Sequence, residues 1–413
     1  MPRLVLYNIG LLATPLGTAP KKGIHQKEIS CVKNAWILIE DGRIVQTGTG
    51  EPPKADESMD VKGRLVTPGL VDAHTHLVFG GWRQHEMKMK LDGVPYLEIL
   101  KAGGGILSTV RSTVHSSKEE LKEKAAKALR EMLGYGTTTA EAKSGYGLCP
   151  EEEYKQLEVV RELAIEQPVD LVSTFLGAHA LPERYKENRE EFVREVAEEM
   201  IPYIAENKLA EFCDVFCEKG VFTAEESRVI LEAGQKYGLA SKIHADEIEA
   251  IGGSVLAGEI GAVSAEHLIV CDEAGMDSMA KGGTIACLLP ATSFYLGAKF
   301  APAREMIKKG IPVALASDFN PGSCPCLNMQ FVMNLGCLKY KMTPEEVLNA
   351  VTLNAAAAIH RADVAGTLEP GKYADILIWD AYDLNYIFYR LGSNLLAKVL
   401  KKGKVVIDYE KTC

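Results

Sequence analysis

The 413-residue sequence lacks the features that mark membrane, secreted or nucleic-acid-binding proteins. No segment reaches the roughly 18 uninterrupted apolar residues that a membrane-spanning helix needs. The N-terminal run MPRLVLYNIGLL is interrupted by Asn8 and Gly10, so it indicates a first β-strand and not a signal peptide. Acidic residues outnumber basic ones, 56 to 46, and the net charge of -10 argues against a nucleic-acid partner. The composition is that of an ordinary globular protein.

The cysteines show no spacing typical of a disulfide framework. Ten are scattered along the chain, several of them in apolar runs such as TIACLLP. This pattern predicts reduced thiols in a cytoplasmic protein. The pairs Cys213/Cys217 and Cys324/Cys326 leave a cysteine metal site open, although no second pair at zinc-finger spacing accompanies either.

Apolar, strand-like runs alternate with charged, helical stretches from about residue 70 onward. The eight runs are LVDAHTHLV, GTTTAEAKSG, VDLVSTFLGAHA, FCDVFCEKG, ASKIHADE, AVSAEHLIV, TIACLLP and PVALASDFN. Eight strand–helix units predict an α/β fold, a (β/α)8 TIM-like barrel. The alternative, an open doubly wound sheet, is weakened because KAGGGILSTV has neither dinucleotide nor ATP-loop spacing.

Short strands and turns flank the barrel at both ends of the chain. Residues 1–66 contain LVLYNIGLL and the hairpin signal EDGR, and residues 366–413 return to short strands such as KVLKKGKVVID. We expect the two ends to build one small β-sandwich domain beside a barrel that spans residues 67–365.

Histidines fall where the predicted barrel strands end. His74 and His76 close the first strand, and His179, His244 and His267 close the third, fifth and sixth. The carboxyl ends of barrel strands form the active-site mouth, so these side chains are expected to converge.

A metal site is the simplest reading of this convergence. His74 and His76 stand at i and i+2, which places both imidazoles on one face of a strand. With His244 and with Asp318 after the eighth strand, they supply three to four ligands for Zn²⁺ or Fe³⁺. We therefore predict one such ion per subunit.

Several motifs carry a family resemblance. TPGLVDAHTH, KIHADE, AEHL, ASDFNPGS and the C-terminal GTLEPGKYADILIWD resemble the amidohydrolase superfamily. Within it, DAHTHLVFGGWR, AGGGILSTVR, EAKSGYGL, TFLGAHA, DVFCEKGVF, KIHADE and SDFNPGS resemble the imidazolonepropionase family. This resemblance implies hydrolysis of 4-imidazolone-5-propanoate to N-formimidoyl-L-glutamate, a step of histidine degradation, by a cytoplasmic, homodimeric enzyme.

The departures from the family pattern are small. Val114 stands where many members have arginine, and Glu266 where aspartate is common. Dinuclear members bridge two metals through a carboxylated lysine on the fourth strand, and Lys219 in FCEKG leaves that alternative open. The resemblance implies a mononuclear site.

The resemblance also implies residue roles. Asp318 would ligate the metal and carry the proton of the water to the departing ring nitrogen. His267 would orient that water or stabilise the oxyanion, and Glu247 would hold the ring N–H and assist proton transfer. The division of labour between Glu247 and His267 is left open.

The propanoate of the implied substrate requires a fork of hydrogen-bond donors, which a guanidinium provides. Arg83, in the loop after the histidine pair, suits this role. The backbone N–H groups and the hydroxyl of the turn after Asp318 are expected to hold carboxylate or formimidoyl groups. The full set of expected substrate contacts is Arg83, Tyr96, Tyr146, His179, Glu247, Asn320, Gly322 and Ser323.

Two other functions are compatible with parts of this pattern. A deaminase of the same superfamily would retain the histidines and Asp318 but would not need Arg83 beside a carboxylate. A barrel without catalytic activity should have lost some metal ligands, and none is missing here.

Overall fold

The fold contains two eight-stranded sheets. The computed structural model describes residues 2–94, 98 and 103–411. The strands, in chain order, are β1 (Leu4–Thr14), β2 (Ser30–Glu40), β3 (Arg43–Thr49), β4 (Glu57–Asp60), β5 (Leu65–Pro68), β6 (Leu70–Asp72), β7 (Thr137–Lys143), β8 (Asp170–Ala178), β9 (Phe212–Cys217), β10 (Ala240–Ala245), β11 (Ser264–His267), β12 (Ile285–Leu288), β13 (Val313–Leu315), β14 (Ile376–Trp379), β15 (Leu396–Lys401) and β16 (Lys404–Asp408).

Helices follow or connect the barrel strands, and the helix Leu384–Tyr389 lies between β14 and β15 of the second sheet. Their bounds are Met87–Leu91, Ile106–His115, Lys118–Gly134, Pro150–Glu166, Arg189–Glu195, Ile201–Glu206, Ala224–Lys236, Gly253–Glu259, Glu273–Gly282, Pro290–Leu296, Ala303–Lys308, Met329–Leu338, Pro344–Ala350, Leu353–Ala358 and Leu384–Tyr389. Short 3₁₀ turns cover Gly23–Lys27, Gln84–Glu86, Glu183–Tyr185 and Tyr409–Lys411, and a π turn covers Val196–Met200. None of the helices in the described part of the chain combines the length and the apolar character that crossing a bilayer requires.

Local sequence signals explain where the charged helices begin. The helix Lys118–Gly134 starts with a capping box, in which Ser117 Oγ accepts a hydrogen bond from Glu120 N and the Glu120 carboxylate accepts one from Ser117 N. Thr223 and Thr343 cap two further helices in the same way. These boxes satisfy N–H groups that have no partner within the helix.

Strands β6 to β13 form the parallel barrel sheet in chain order. Each of the eight predicted strand runs contains one of these strands, so the (β/α)8 prediction is confirmed. The first and last strands meet beyond their assigned ends, where Thr75 bridges to Phe319 in parallel register. Asp318 N donates to His74 O at 3.0 Å and His76 N donates to Phe319 O at 2.9 Å. This seam fixes the histidine pair opposite Asp318.

The second sheet joins both ends of the chain. Its order is β16-β15-β14-β5-β1-β2-β3, with β4 paired to β1. The connection between the ends is the antiparallel pair β5–β14, which is reinforced by a 2.8 Å hydrogen bond from Trp379 Nε1 to Thr67 Oγ1. The strands surround an apolar core of their own. All of them belong to one continuous mixed sheet, which forms the extra domain. The domain boundaries after residues 66 and 365 stay a prediction.

Candidate metal centre and active site

Three histidines converge at the barrel mouth. One ring nitrogen from each of His74, His76 and His244 lies within 4.8 Å of the other two. Asp318 Oδ1 is 3.5 Å from the Nε2 atoms of both His74 and His76. All four side chains are buried. The predicted ligand set is therefore brought together in space.

The backbone at Asp318 has an unusual conformation. Its φ angle is +56°, in the left-handed region that few non-glycine residues adopt. Thr292 Oγ1 donates to Asp318 Oδ2 at 2.6 Å, which leaves Oδ1 directed at the histidines. Residues kept in sparsely populated conformations cluster at functional sites, where the surrounding structure holds them.

Two carboxylates orient the histidines from behind. His74 Nδ1 lies 2.9 Å from Glu266 Oε2, and His244 Nδ1 lies 3.1 Å from Asp214 Oδ1. Such a partner fixes the tautomer so that the lone pair is on Nε2. The Nε2 atoms of His74 and His244 are buried without a hydrogen-bond partner among the described residues. Buried, unpartnered lone pairs that face one another and a carboxylate fit a bound metal cation.

The electrostatics keep two of these ligands uncharged. Burial, followed by nearby positive groups such as Lys143, lowers the pKa of His74 far below its usual value, and burial does the same for His76. A neutral imidazole is the form that binds a metal.

A network of buried charges underlies the metal site. Lys143 Nζ donates to Asp214 Oδ2 at 2.7 Å and to Glu141 Oε1 at 3.0 Å. Lys242 Nζ lies 3.4 Å from Glu141 Oε1 and 3.5 Å from Glu266 Oε1. All five side chains are fully buried, where an unpaired charge would be strongly destabilising. The sequence prediction missed this network, although charged residues within buried strands such as EAK and CDV could have indicated it.

His267 and Glu247 lie beside the candidate metal ligands. The His267 ring is 5.3 Å from the His244 ring, centroid to centroid, and Glu247 Oε1 is 3.8 Å from His267 Nδ1. Burial lowers the pKa of His267 to about 4 and raises the pKa of Glu247 to about 7. Glu218, which the sequence prediction also missed, holds the loop of Glu247 by accepting hydrogen bonds from Ile248 N at 2.9 Å and Glu249 N at 3.1 Å.

Tyr146 and His179 form one wall of the mouth. The His179 ring stacks on the His76 ring at a centroid distance of 4.8 Å, and the Tyr146 ring is 5.3 Å from His179. His179 Nδ1 lies 3.0 Å from Gly145 O, so this nitrogen is the donor and Nε2 is the acceptor. Burial lowers the pKa of His179 to about 3 and raises that of Tyr146 above its usual value.

Arg83 lies beside the turn that follows Asp318. The Arg83 guanidinium lies against Gly322, and Nε and Nη2 each donate to Glu86 at 2.8 Å. The N–H groups of Gly322 and Ser323 donate to Asn320 Oδ1 at 2.8 and 2.7 Å. These two N–H groups thus donate within the turn itself, whereas the sequence analysis predicted that they face a ligand.

One other predicted residue, Lys219, lies elsewhere. Lys219, the conceivable bridge of a dinuclear site, has an exposed side chain whose Nζ is 2.7 Å from Glu249 Oε1. It is therefore paired away from the buried histidines. Tyr96 lies outside the described residues.

Sequence comparison identifies close relatives. Residues 65–406 match the amidohydrolase family. The chain is 52% identical over 416 residues to the imidazolonepropionase of Alkaliphilus metalliredigens, with 99% of each chain covered. It is 52% identical to the imidazolonepropionase of Fusobacterium nucleatum, with 98% of each chain covered. The imidazolonepropionase of Bacillus cereus is 50% identical, with 97% of this chain and 96% of the relative covered.

Solved structures support the fold. A triazine hydrolase from Arthobacter aurescens superposes with a TM-score of 0.76 at 17% identity, covering 99% of this chain and 96% of that chain. Escherichia coli guanine deaminase superposes with a TM-score of 0.75 at 15% identity, covering 98% and 99%. The barrel, its mouth histidines and the family match agree, and the chain belongs to the amidohydrolase family.

Proposed function

We propose that this enzyme hydrolyses 4-imidazolone-5-propanoate to N-formimidoyl-L-glutamate, the third step of L-histidine degradation. Water adds to the ring carbonyl carbon, the ring C–N bond breaks, and the departing nitrogen takes a proton. The main support is the 50–52% identity, over nearly the whole chain, to relatives named imidazolonepropionase. The site has two features that this reaction needs. One is a cluster of histidines suited to a metal ion, and the other is a guanidinium beside the turn that follows Asp318.

The proposed cofactor is one Zn²⁺ or Fe³⁺ ion per subunit, held by His74, His76, His244 and Asp318. Three imidazoles and one carboxylate suit either ion. When bound, the ion supplies Lewis acidity and lowers the pKa of a water molecule toward neutrality.

Three side chains move protons or stabilise charge in this proposal. Asp318 takes the proton of the attacking water and passes it to the ring nitrogen. His267 is neutral at pH 7 because of its pKa of about 4, and it orients the water or stabilises the developing oxyanion. Glu247, with a pKa of about 7, populates both proton states near neutrality and holds the ring N–H.

The remaining predicted residues bind the substrate. Arg83 pairs with the propanoate, and fixing that group orients the ring over the metal centre. Tyr146 and His179 contact the ring from the wall that they share with His76. Asn320, Gly322 and Ser323 shape the turn beneath the ligand, and Tyr96 is proposed as a further contact.

The product distinguishes this reaction from that of a superfamily deaminase. Purified enzyme incubated with 4-imidazolone-5-propanoate should yield N-formimidoyl-L-glutamate, detected by mass spectrometry, without releasing ammonia. Guanine and adenosine should not be deaminated. Ammonia release from guanine or adenosine, with no ring opening of the imidazolone, would replace the proposal by a deaminase.

We further propose that the enzyme is a cytoplasmic homodimer that acts on a small molecule and does not bind nucleic acid. Nine cysteines in the described part of the chain are free thiols, which suits a reducing compartment. Light scattering of the purified enzyme tests the dimer, and a mass of one subunit would contradict it.

A further inference from the structure

Glu86 is a fully buried carboxylate that lies next to the proposed substrate-binding arginine. Arg83 donates to it twice, from Nε to Oε1 and from Nη2 to Oε2, both at 2.8 Å. Gly105 N also donates to Glu86 Oε1 at 2.7 Å. Although burial opposes ionisation, these hydrogen bonds hold the pKa of Glu86 below its usual value. Glu86 is therefore a charged, fixed anchor for one edge of the guanidinium.

Gly322 lies against the flat face of the guanidinium, above Nη1. A Cβ atom on Gly322 would lie 2.0 Å from Arg83 Nη1 and 2.7 Å from Arg83 Cζ. The three heavy atoms nearest to that position all belong to Arg83. The space left by the missing side chain at Gly322 is thus filled by the guanidinium. An alanine here would displace the end of a flexible side chain and would leave the backbone in place.

Within the described part of the chain, the ion pairs of Glu86 contain one more positive charge than negative charge. Lys90 Nζ is 3.4 Å from Glu86 Oε2 and donates to Gly322 O at 2.9 Å. Two cations, Arg83 and Lys90, share the single carboxylate of Glu86 among the ion pairs of the described residues. A partly buried group with a net charge of +1 is suited to receive an anion.

We propose that Glu86 is a positioning residue, which clamps Arg83 by its Nε/Nη2 edge against Gly322 so that the Nη1 side receives the carboxylate of the ligand, with Lys90 as a second cation at the same subsite. This inference rests on the proposed function for the identity of the ligand. A bidentate partner on the Nε/Nη2 edge removes the rotational freedom of the guanidinium, so that less entropy is lost when Nη1 binds the carboxylate of the ligand.

Binding of two matched probes tests the clamp without turnover. The probes are 3-(imidazol-4-yl)propanoate and 4-propylimidazole, which differ in having a carboxylate or a methyl group at the end of the chain. Wild type should bind the carboxylate probe more tightly in calorimetric titration. Glu86→Gln should weaken that probe by about ten- to a hundredfold and leave 4-propylimidazole unchanged. Gly322→Ala should give the same selective loss.

A double-mutant cycle separates positioning from a structural role. If Glu86 acts through Arg83, Arg83→Met/Glu86→Gln should bind the carboxylate probe no more weakly than Arg83→Met alone. Additive losses, equal losses on both probes, or full carboxylate affinity in Glu86→Gln would each overturn the proposal. Glu123→Gln, exposed on the helix Lys118–Gly134, is the matched control and should bind both probes like wild type.

The binding and turnover measurements together distinguish failure of the proposed function from failure of the clamp. If wild type discriminates between the probes and the cycle is non-additive, the clamp stands even where 4-imidazolone-5-propanoate is not hydrolysed. If wild type hydrolyses the imidazolone but binds both probes equally, the function stands and the clamp is overturned.

Discussion

Asp214 Oδ1 accepts a hydrogen bond from His244 Nδ1 at 3.1 Å, and this contact sets which nitrogen of His244 faces the metal centre. The other neighbours of the carboxylate, Lys143 Nζ and Val215 N, are also donors. An aspartate satisfies all three, whereas an asparagine must turn its NH₂ group toward one of them. The proposed metal ligand His244 is thus oriented by Asp214, a residue outside the proposed ligand set.

Asp214→Asn should therefore lower metal affinity by about ten- to a hundredfold, because the orienting partner of a metal-binding histidine is weakened. Competition with a chromophoric chelator measures the affinity, after circular dichroism has shown that the variant is folded. Asp277→Asn, exposed on the helix Glu273–Gly282, is the control and should retain full affinity. Unchanged affinity in Asp214→Asn would show that Asp214 does not act on the metal site.

One metal ion should be found per chain in the active enzyme. Among the described residues, three histidines and Asp318 lie together around one centre. Lys219 is paired with Glu249 at the surface. Elemental analysis measures the stoichiometry. Lys219→Ala should keep both the metal and the activity, and two ions per chain or loss of metal in this variant would favour a dinuclear site.

His267→Ala and Glu247→Ala should keep the fold and the metal but lose at least about a hundredfold in kcat, because each removes a group that acts in proton transfer or charge stabilisation. Steady-state kinetics and metal content check this together. Glu249→Ala, two residues beyond Glu247 and exposed, should behave as wild type. Near-normal turnover in either test variant would remove that residue from the catalytic set.

Arg83→Met should raise KM strongly and leave metal content unchanged, because methionine is similar in length but has no charge for the propanoate. Losing a charge-assisted pair in a partly desolvated site is worth roughly 2–4 kcal/mol, or about thirty- to a thousandfold in kcat/KM. An imidazolone without the propanoate is the control substrate. If the variant loses activity equally on both compounds, Arg83 shapes the loop and does not bind the carboxylate.

The barrel and its mouth histidines could be predicted because their signals are local. Each buried strand is a short apolar run, and residues such as His244 and His267 stand at its carboxyl end. The hairpin between β2 and β3 could also be predicted, because Asp-Gly in EDGR favours a tight hairpin turn. Asp41 and Gly42 adopt the positive φ angles that this turn requires, +48° and +75°.

The groups that orient the site could not be predicted in the same way. Lys143 and Asp214 are 71 residues apart, on strands β7 and β9, and they meet only when the barrel forms with β8 between these two strands. Glu86 is three residues from Arg83, yet its importance depends on Gly322, which comes from the opposite end of the barrel strand order. Such pairings follow from the tertiary arrangement, and the sequence shows their members only as isolated charges.

The most direct test of the account is ring opening itself. 4-Imidazolone-5-propanoate is generated from urocanate with urocanase, and its ultraviolet absorbance is followed after the metal-loaded enzyme is added. We predict rapid decay that is lost when a chelator removes the metal, restored when metal is returned, and much slower in His267→Ala. Decay no faster than the spontaneous rate, in folded protein with one metal per chain, would contradict the proposed function.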